Sequence, residues 1–217
     1  MMAQTLRQAK ASGNWRPETG TGETSVVDER ARCAWVSNDP LYRRYHDEEW
    51  GRPEHDAQKL FELLLLESFQ AGLSWITILR KRENFRQAFA GFKPEQIARF
   101  GDADVQALVT NAAIIRHRGK IEAAIAGARA WLDLEATFPG GFTAFIWETV
   151  EGKPQINYWR NAKEIPAKTP EAAQLSKRLR DRGFRFVGAT TTYSFMQAAG
   201  LVDDHLLSCF RREGASL

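Results

Sequence analysis

Cysteine is scarce in this chain: 217 residues contain two, Cys33 and Cys209, near opposite ends. A disulfide scaffold is thereby excluded, and a chain of roughly 200 residues has no need of one, because folding buries about 70% of its unfolded surface. Long apolar runs are missing too. The most hydrophobic stretch, Leu63 to Leu66, is closed by Glu67, well short of the ~18 residues that read as a membrane span. The first ten residues hold no basic segment followed by an apolar one, so no secretory signal is expected. Period-two alternation is lacking, which leaves an all-α fold as the expectation. A strong charge of either sign is also absent: the net charge of +3 permits a nucleic-acid partner without requiring one. The expectation from these absences is a cytoplasmic globular protein without a membrane partner. In that compartment a stable disulfide is not expected, and a lone thiol reads first as a small buried hydrophobe.

What is present is organised in two parts. Residues 1–30 hold Gly13, Pro17, Gly20 and Gly22 among polar residues and read as a flexible extension. Residues 31–212 form the expected helical domain, with no further linker or repeat. Asp56 is placed to cap a helix whose Leu60, Phe61 and Leu63–Leu66 are apolar nearly all round, the pattern of a buried helix. Gly72 breaks that run, and Ser74 can cap a second helix toward Phe89. Further helices are expected from Pro94, from Asp102 or Asp104 through Leu108, and over about 116–135, 142–150, 170–182 and 190–199. Gly183 and Gly200 are the expected stops of the last two.

Three groups of residues carry chemistry. His205 and Cys209 stand four positions apart, so a helical turn would face both the same way, while Cys33 and His46 flank a twelve-residue loop. Together they compose a Cys2His2 set, the composition of closed structural zinc sites. The spacing alone also fits two inert thiols beside unrelated histidines. A second group joins Trp35, Trp50 and Trp75, three of the seven tryptophans, with Tyr42, Tyr45 and Glu67. Aromatic walls around one poorly solvated acid suit a flat cationic ligand, although the same rings read as ordinary core. Third, a short turn near 111–115 joins two helices, and Arg116, His117, Arg118 and Lys120 follow at the start of the second. Amides and cations there favour a phosphate, although a solvated basic surface has the same composition.

Taken in order, Arg32–Ser37, Asp39–Tyr42, Tyr45–Gly51, Gln70–Thr77, Ile114–Ile121, Arg182–Gly188 and Tyr193–Val202 resemble the Tag-type 3-methyladenine DNA glycosylases of the helix-hairpin-helix superfamily. The resemblance runs from about Arg32 to Cys209. It implies one structural zinc on Cys33, His46, His205 and Cys209, tethering the two end segments. It also implies a base pocket of Trp35, Tyr45, Trp50, Glu67 and Trp75, with Glu67 on the extruded base and Trp75 stacked on it. Arg116, Arg118 and Lys120 become the expected DNA contacts. Two positions depart from the family pattern: Ala113 stands where a hairpin glycine is common, so a turn needing positive φ would be strained. Phe69 stands where a relative is polar, which bears on hydration of the pocket edge.

The activity so implied is that of a monofunctional, monomeric enzyme acting on double-stranded DNA with alkylated bases. Methylation at N3 makes adenine cationic and already a good leaving group, so the enzyme's task is to flip and select it. Water then completes the displacement, leaving an abasic site and free 3-methyladenine. Glu67 is the expected recognition and catalytic carboxylate, and no lysine is placed as a Schiff-base nucleophile. Two other classes fit the same residues: a non-enzymatic reader of alkylated or unpaired bases, and a zinc-stapled helical interaction protein without a pocket.

Overall fold

The computed structural model describes residues 30–212, so the expected extension at 1–30 lies outside the described residues apart from Arg30. The helices are α1 (Pro40–Glu48), α2 (Ala57–Gln70), α3 (Trp75–Ala88), α4 (Pro94–Ile97), α5 (Asp102–Thr110), α6 (Arg118–Thr137), α7 (Gly141–Trp147), α8 (Pro170–Asp181) and α9 (Ala189–Ala198). The all-α expectation needs one correction. Two-residue strands β1 (Gln155–Ile156) and β2 (Val202–Asp203) pair in parallel, with Gln155 opposite Val202. Runs this short generate no alternation, so the sequence held no signal for them.

Local chemistry explains where the helices begin. Asp56 Oδ1 accepts the Lys59 amide at 2.8 Å, closing the first turn of α2. Its neighbour α1 was not foreseen: Asp39 Oδ1 accepts the Leu41 amide at 2.9 Å and Pro40 fills the first helical position. Ser74 precedes α3 as expected, but its hydroxyl meets Thr77 Oγ1 at 2.8 Å rather than a backbone amide.

Helix α2 is the centre of the molecule, and α3, α6, α7 and α9 all pack against it. Leu60, Leu64 and Leu66 are wholly buried, which is what an apolar surface on every side requires. Phe69 belongs to this core: it is buried against Phe85 and Phe89, with ring centroids 4.8 and 5.6 Å away. The expectation that it edges the pocket is therefore corrected.

Segment 51–54 lies along the end of α9. Gly51 donates to the Gln197 carbonyl at 3.1 Å and Glu54 to the Ala199 carbonyl at 3.0 Å. The approach is close enough that a Cβ on Gly200, whose φ is +67°, would fall 2.3 Å from the Arg52 carbonyl carbon. Only glycine allows the strap to seat there. This docking brings α1 and the segment around Cys33 alongside α9 and the residues that follow it.

Candidate functional site

A cavity of about 310 Å³ opens between α1, α2, the start of α3, and α9. Trp35, Tyr45, Trp50, Glu67 and Trp75 all line it, so the structure brings the five expected pocket residues around one space. The sequence reasoning missed Gln70, Ala162, Ile165, Ser194 and Gln197 as wall residues, and held Tyr42 only as a neighbour. The aromatic walls touch one another: Tyr45 and Trp75 lie 5.4 Å apart between centroids, and Trp35 and Trp50 5.0 Å.

Glu67 is the one acid in the lining among the described residues. It leaves α2 from within the packed core, is 5% exposed, and receives no hydrogen bond from the described residues. Burial alone pushes its carboxyl up to about 8. The indole nitrogen of Trp75 is likewise buried without a partner among the described residues. An unpaired acid inside an aromatic box is costly when empty and complementary to a flat cation.

The second cluster lies behind the Trp50 wall. Cys33, His46 and Cys209 are buried, and their ligand atoms lie within 4.8 Å of one another. Both cysteines are free. The two neighbouring thiols shift one another, Cys209 down and Cys33 up, and His46 Nε2 stands 3.4 Å from the Cys209 sulfur. His205 stands outside that compact trio, but its ring centroid is 5.1 Å from that of His46. Each imidazole is oriented by a carboxylate, His46 Nδ1 on Asp47 Oδ1 and His205 Nδ1 on Asp203 Oδ1, both at 2.8 Å. That leaves His205 Nε2 buried with no partner among the described residues. Two thiols and two carboxylate-braced imidazoles, one with a bare ring nitrogen, are a donor set suited to a tetrahedral metal ion. Gly51 keeps the space clear, since a Cβ there would lie 2.6 Å from His205 Cε1.

The basic run divides. Arg116 and Arg118 are exposed at the turn between α5 and α6. Lys120 is not with them, which corrects its expected DNA contact: it is buried, and its ammonium donates to the carbonyls of Phe69 and Ala71 at 2.9 and 2.8 Å. Those carbonyls end α2 without helical partners, and a cation is the natural cap. Burial pushes the Lys120 ammonium down. Ala113 does not adopt positive φ, so the anticipated strain is absent. Its amide donates to Asn111 Oδ1 at 2.9 Å, and its carbonyl accepts from Lys81 Nζ at 3.0 Å.

Comparison with known proteins agrees with this geometry. Residues 35–212 match the methyladenine glycosylase family. The chain is 53% identical over 178 residues to DNA-3-methyladenine glycosylase 1 of Escherichia coli K12, covering 82% of this chain and 95% of that one. It superposes on a crystal structure of 3-methyladenine DNA glycosylase I with TM-score 0.82 and 54% identity, covering 84% of this chain and all of that one (100%). A variant of such an enzyme in complex with 3-methyladenine gives TM-score 0.79 and 43% identity over 82% of this chain and 95% of that one. The chain belongs to the methyladenine glycosylase family.

Proposed function

We propose that this protein excises N3-methylated adenine from duplex DNA by hydrolysis of the glycosidic bond, as a monofunctional glycosylase. The observation that carries the reading is Glu67, an unpaired, buried carboxyl facing a cavity walled by Trp35, Tyr45 and Trp75. Methylation at N3 puts a positive charge on the base and weakens its bond to the sugar. The residues then need only hold the extruded cation, by ring faces on either side and a carboxylate at the edge, while water attacks the sugar carbon. A normal adenine is neutral and gains none of the charge attraction. Among the described residues no lysine lines the cavity, which supports release by water rather than through a Schiff base.

Chromatography of the bases released from methylated DNA tests this directly. Free 3-methyladenine and an abasic strand are expected; tight binding with no released base would make the protein a reader instead.

The turn between α5 and α6 serves, in this reading, as the hairpin of a helix-hairpin-helix element that docks a DNA backbone. Arg116 and Arg118 are its phosphate contacts. Removing either should weaken DNA binding about equally for all sequences and reduce the salt slope by about 1. Fluorescence titrations at several salt concentrations read that slope, and an unchanged slope in the double variant would move the DNA surface elsewhere. Free 3-methyladenine should bind these variants as it binds the parent.

Zinc is the metal that the Cys33, His46, His205 and Cys209 donor set fits. It would act as a structural clamp, holding the segment with Trp35 and Tyr45 to the chain beyond α9, with no coordination position left for substrate. The working location is the cytoplasm, on the nucleoid, as a monomer, which is consistent with two free thiols.

A further inference from the structure

Four neutral donors converge on one buried carboxylate behind the cavity. Asp204 is wholly buried, and its Oδ1 accepts from Asn157 Nδ2 and Trp159 Nε1, both at 2.7 Å. Its Oδ2 accepts from the Tyr193 hydroxyl at 2.6 Å and from Gln197 Nε2 at 2.7 Å. Gln197 is at the same time part of the cavity wall. Its amide cannot turn over: the flip would set Oε1 against a carboxylate oxygen, two acceptors facing each other in a buried place. Nε2 is thus held at the Asp204 end, and Oε1 lies on the opposite edge of the planar amide.

Two neighbouring wall residues have the same polarity. Gln70 Nε2 donates to the Leu73 carbonyl at 2.8 Å, and the Ser194 hydroxyl donates to the Thr190 carbonyl at 3.3 Å. Ser194 and Gln197 are three apart on α9, so they share a face. Each of these three side chains spends a donor on the protein itself and keeps its oxygen as an acceptor for an occupant.

We propose that Gln197, locked by Asp204, is a specificity-determining residue that reads the exocyclic position of the extruded purine. Its Oε1 accepts a hydrogen bond from an amino group and opposes a carbonyl oxygen there. This rests on the base-pocket reading above and deepens it. An aminopurine satisfies the acceptor; the 6-oxo counterpart places acceptor against acceptor and leaves Oε1 unpaired, a penalty larger than that of a missing methyl group. Asp204 is a positioning residue: it touches no ligand and acts through the amide it holds.

The test compares binding of 3-methyladenine and 3-methylhypoxanthine to the full chain by tryptophan fluorescence, since the two bases exchange an amino group for a carbonyl at that position. The unaltered protein is expected to favour 3-methyladenine by about 10-fold or more. Gln197→Met keeps the length and removes the acceptor. It should lower 3-methyladenine affinity about 5- to 10-fold, leave 3-methylhypoxanthine no weaker, and so collapse the ratio. Asp204→Asn frees the amide to reverse and should shrink the ratio in the same direction. Equal binding of both bases by the unaltered protein overturns the proposal, as does an unchanged ratio in Gln197→Met. A merely structural Asp204 would lower the melting temperature of its variant and leave the ratio alone. Failure of the underlying reading looks different, because then neither base binds the unaltered protein.

Discussion

Glu67→Gln should cut release of 3-methyladenine from methylated DNA by about 100-fold or more, the scale of losing one preorganised electrostatic partner in a dry site. The helices should survive, because glutamine preserves the shape of a side chain that receives no hydrogen bond from the described residues. Stability supplies a second, independent signature. The carboxyl sits at about 8 in the folded chain against an ordinary 4.5, with burial as the cause. Between those values the folded protein keeps a proton that the unfolded chain releases. The group's contribution is therefore fully present below pH 4.5 and is lost as pH rises through 8, a change on the order of 5 kcal/mol. Glutamine cannot ionise, so the variant should melt above the parent at pH near 8, and the difference should close toward pH 4.5.

Catalysis runs the opposite way. A cationic base beside Glu67 favours the carboxylate and pulls its proton off. kcat/KM should therefore climb with pH toward the value of the free protein, near 8, and the limb in kcat should lie lower because bound substrate has shifted the group. Single-turnover base release across pH, parent against variant, reads both limbs. A variant with parental release rates would remove Glu67 from the chemistry.

The second large effect is expected at the other cluster. Cys209→Ser should lower the melting temperature by about 10 °C or more, the equivalent of several kcal/mol in a domain of this size. It should also reduce bound zinc from about one ion per chain to nearly none. The parent thiolate is favoured before any metal arrives, since Cys33 and His46 both lower the Cys209 pKa; serine offers neither charge nor softness. Removal of metal from the parent by a chelator should reproduce the loss of stability. Elemental analysis of the purified variant decides the matter: full occupancy with zinc would strike Cys209 from the ligand set.

Much of this was legible in the sequence wherever local chemistry dominates. Asp56 before an all-apolar helix, and Gly72 followed by Ser74, mark boundaries that each depend on a few neighbouring residues. The aromatic box was readable because Trp35, Tyr45, Trp50, Glu67 and Trp75 lie within one stretch of chain. What stayed hidden depends on tertiary packing. Lys120 belongs to a basic run, and nothing local says that its ammonium turns inward to the end of α2 while Arg118 stays in solvent. Gln70, Ser194 and Gln197 are ordinary polar residues whose place in the wall follows from how α9 packs on α2. The spacing of Ser194 and Gln197 on α9 was visible, but the direction of the hydrogen bonds made by all three was not. Helix α1 escaped because five of its residues are charged or histidine, which obscures the apolar period that Tyr45 would otherwise announce.

The clasp between His46 and Cys209 joins positions 163 apart, and that separation says something about the order of assembly. Closing so long a loop carries a large entropic cost that only a largely folded chain has already met. Helices adjacent in sequence, such as α2 with α3 and α8 with α9, can pack earlier at small cost. The Cys33, His46 and Cys209 cluster is then a late latch on an assembled body rather than a nucleus around which the body forms. The aromatic box depends on that last event, since Trp35 and Tyr45 arrive with the segment that the latch holds.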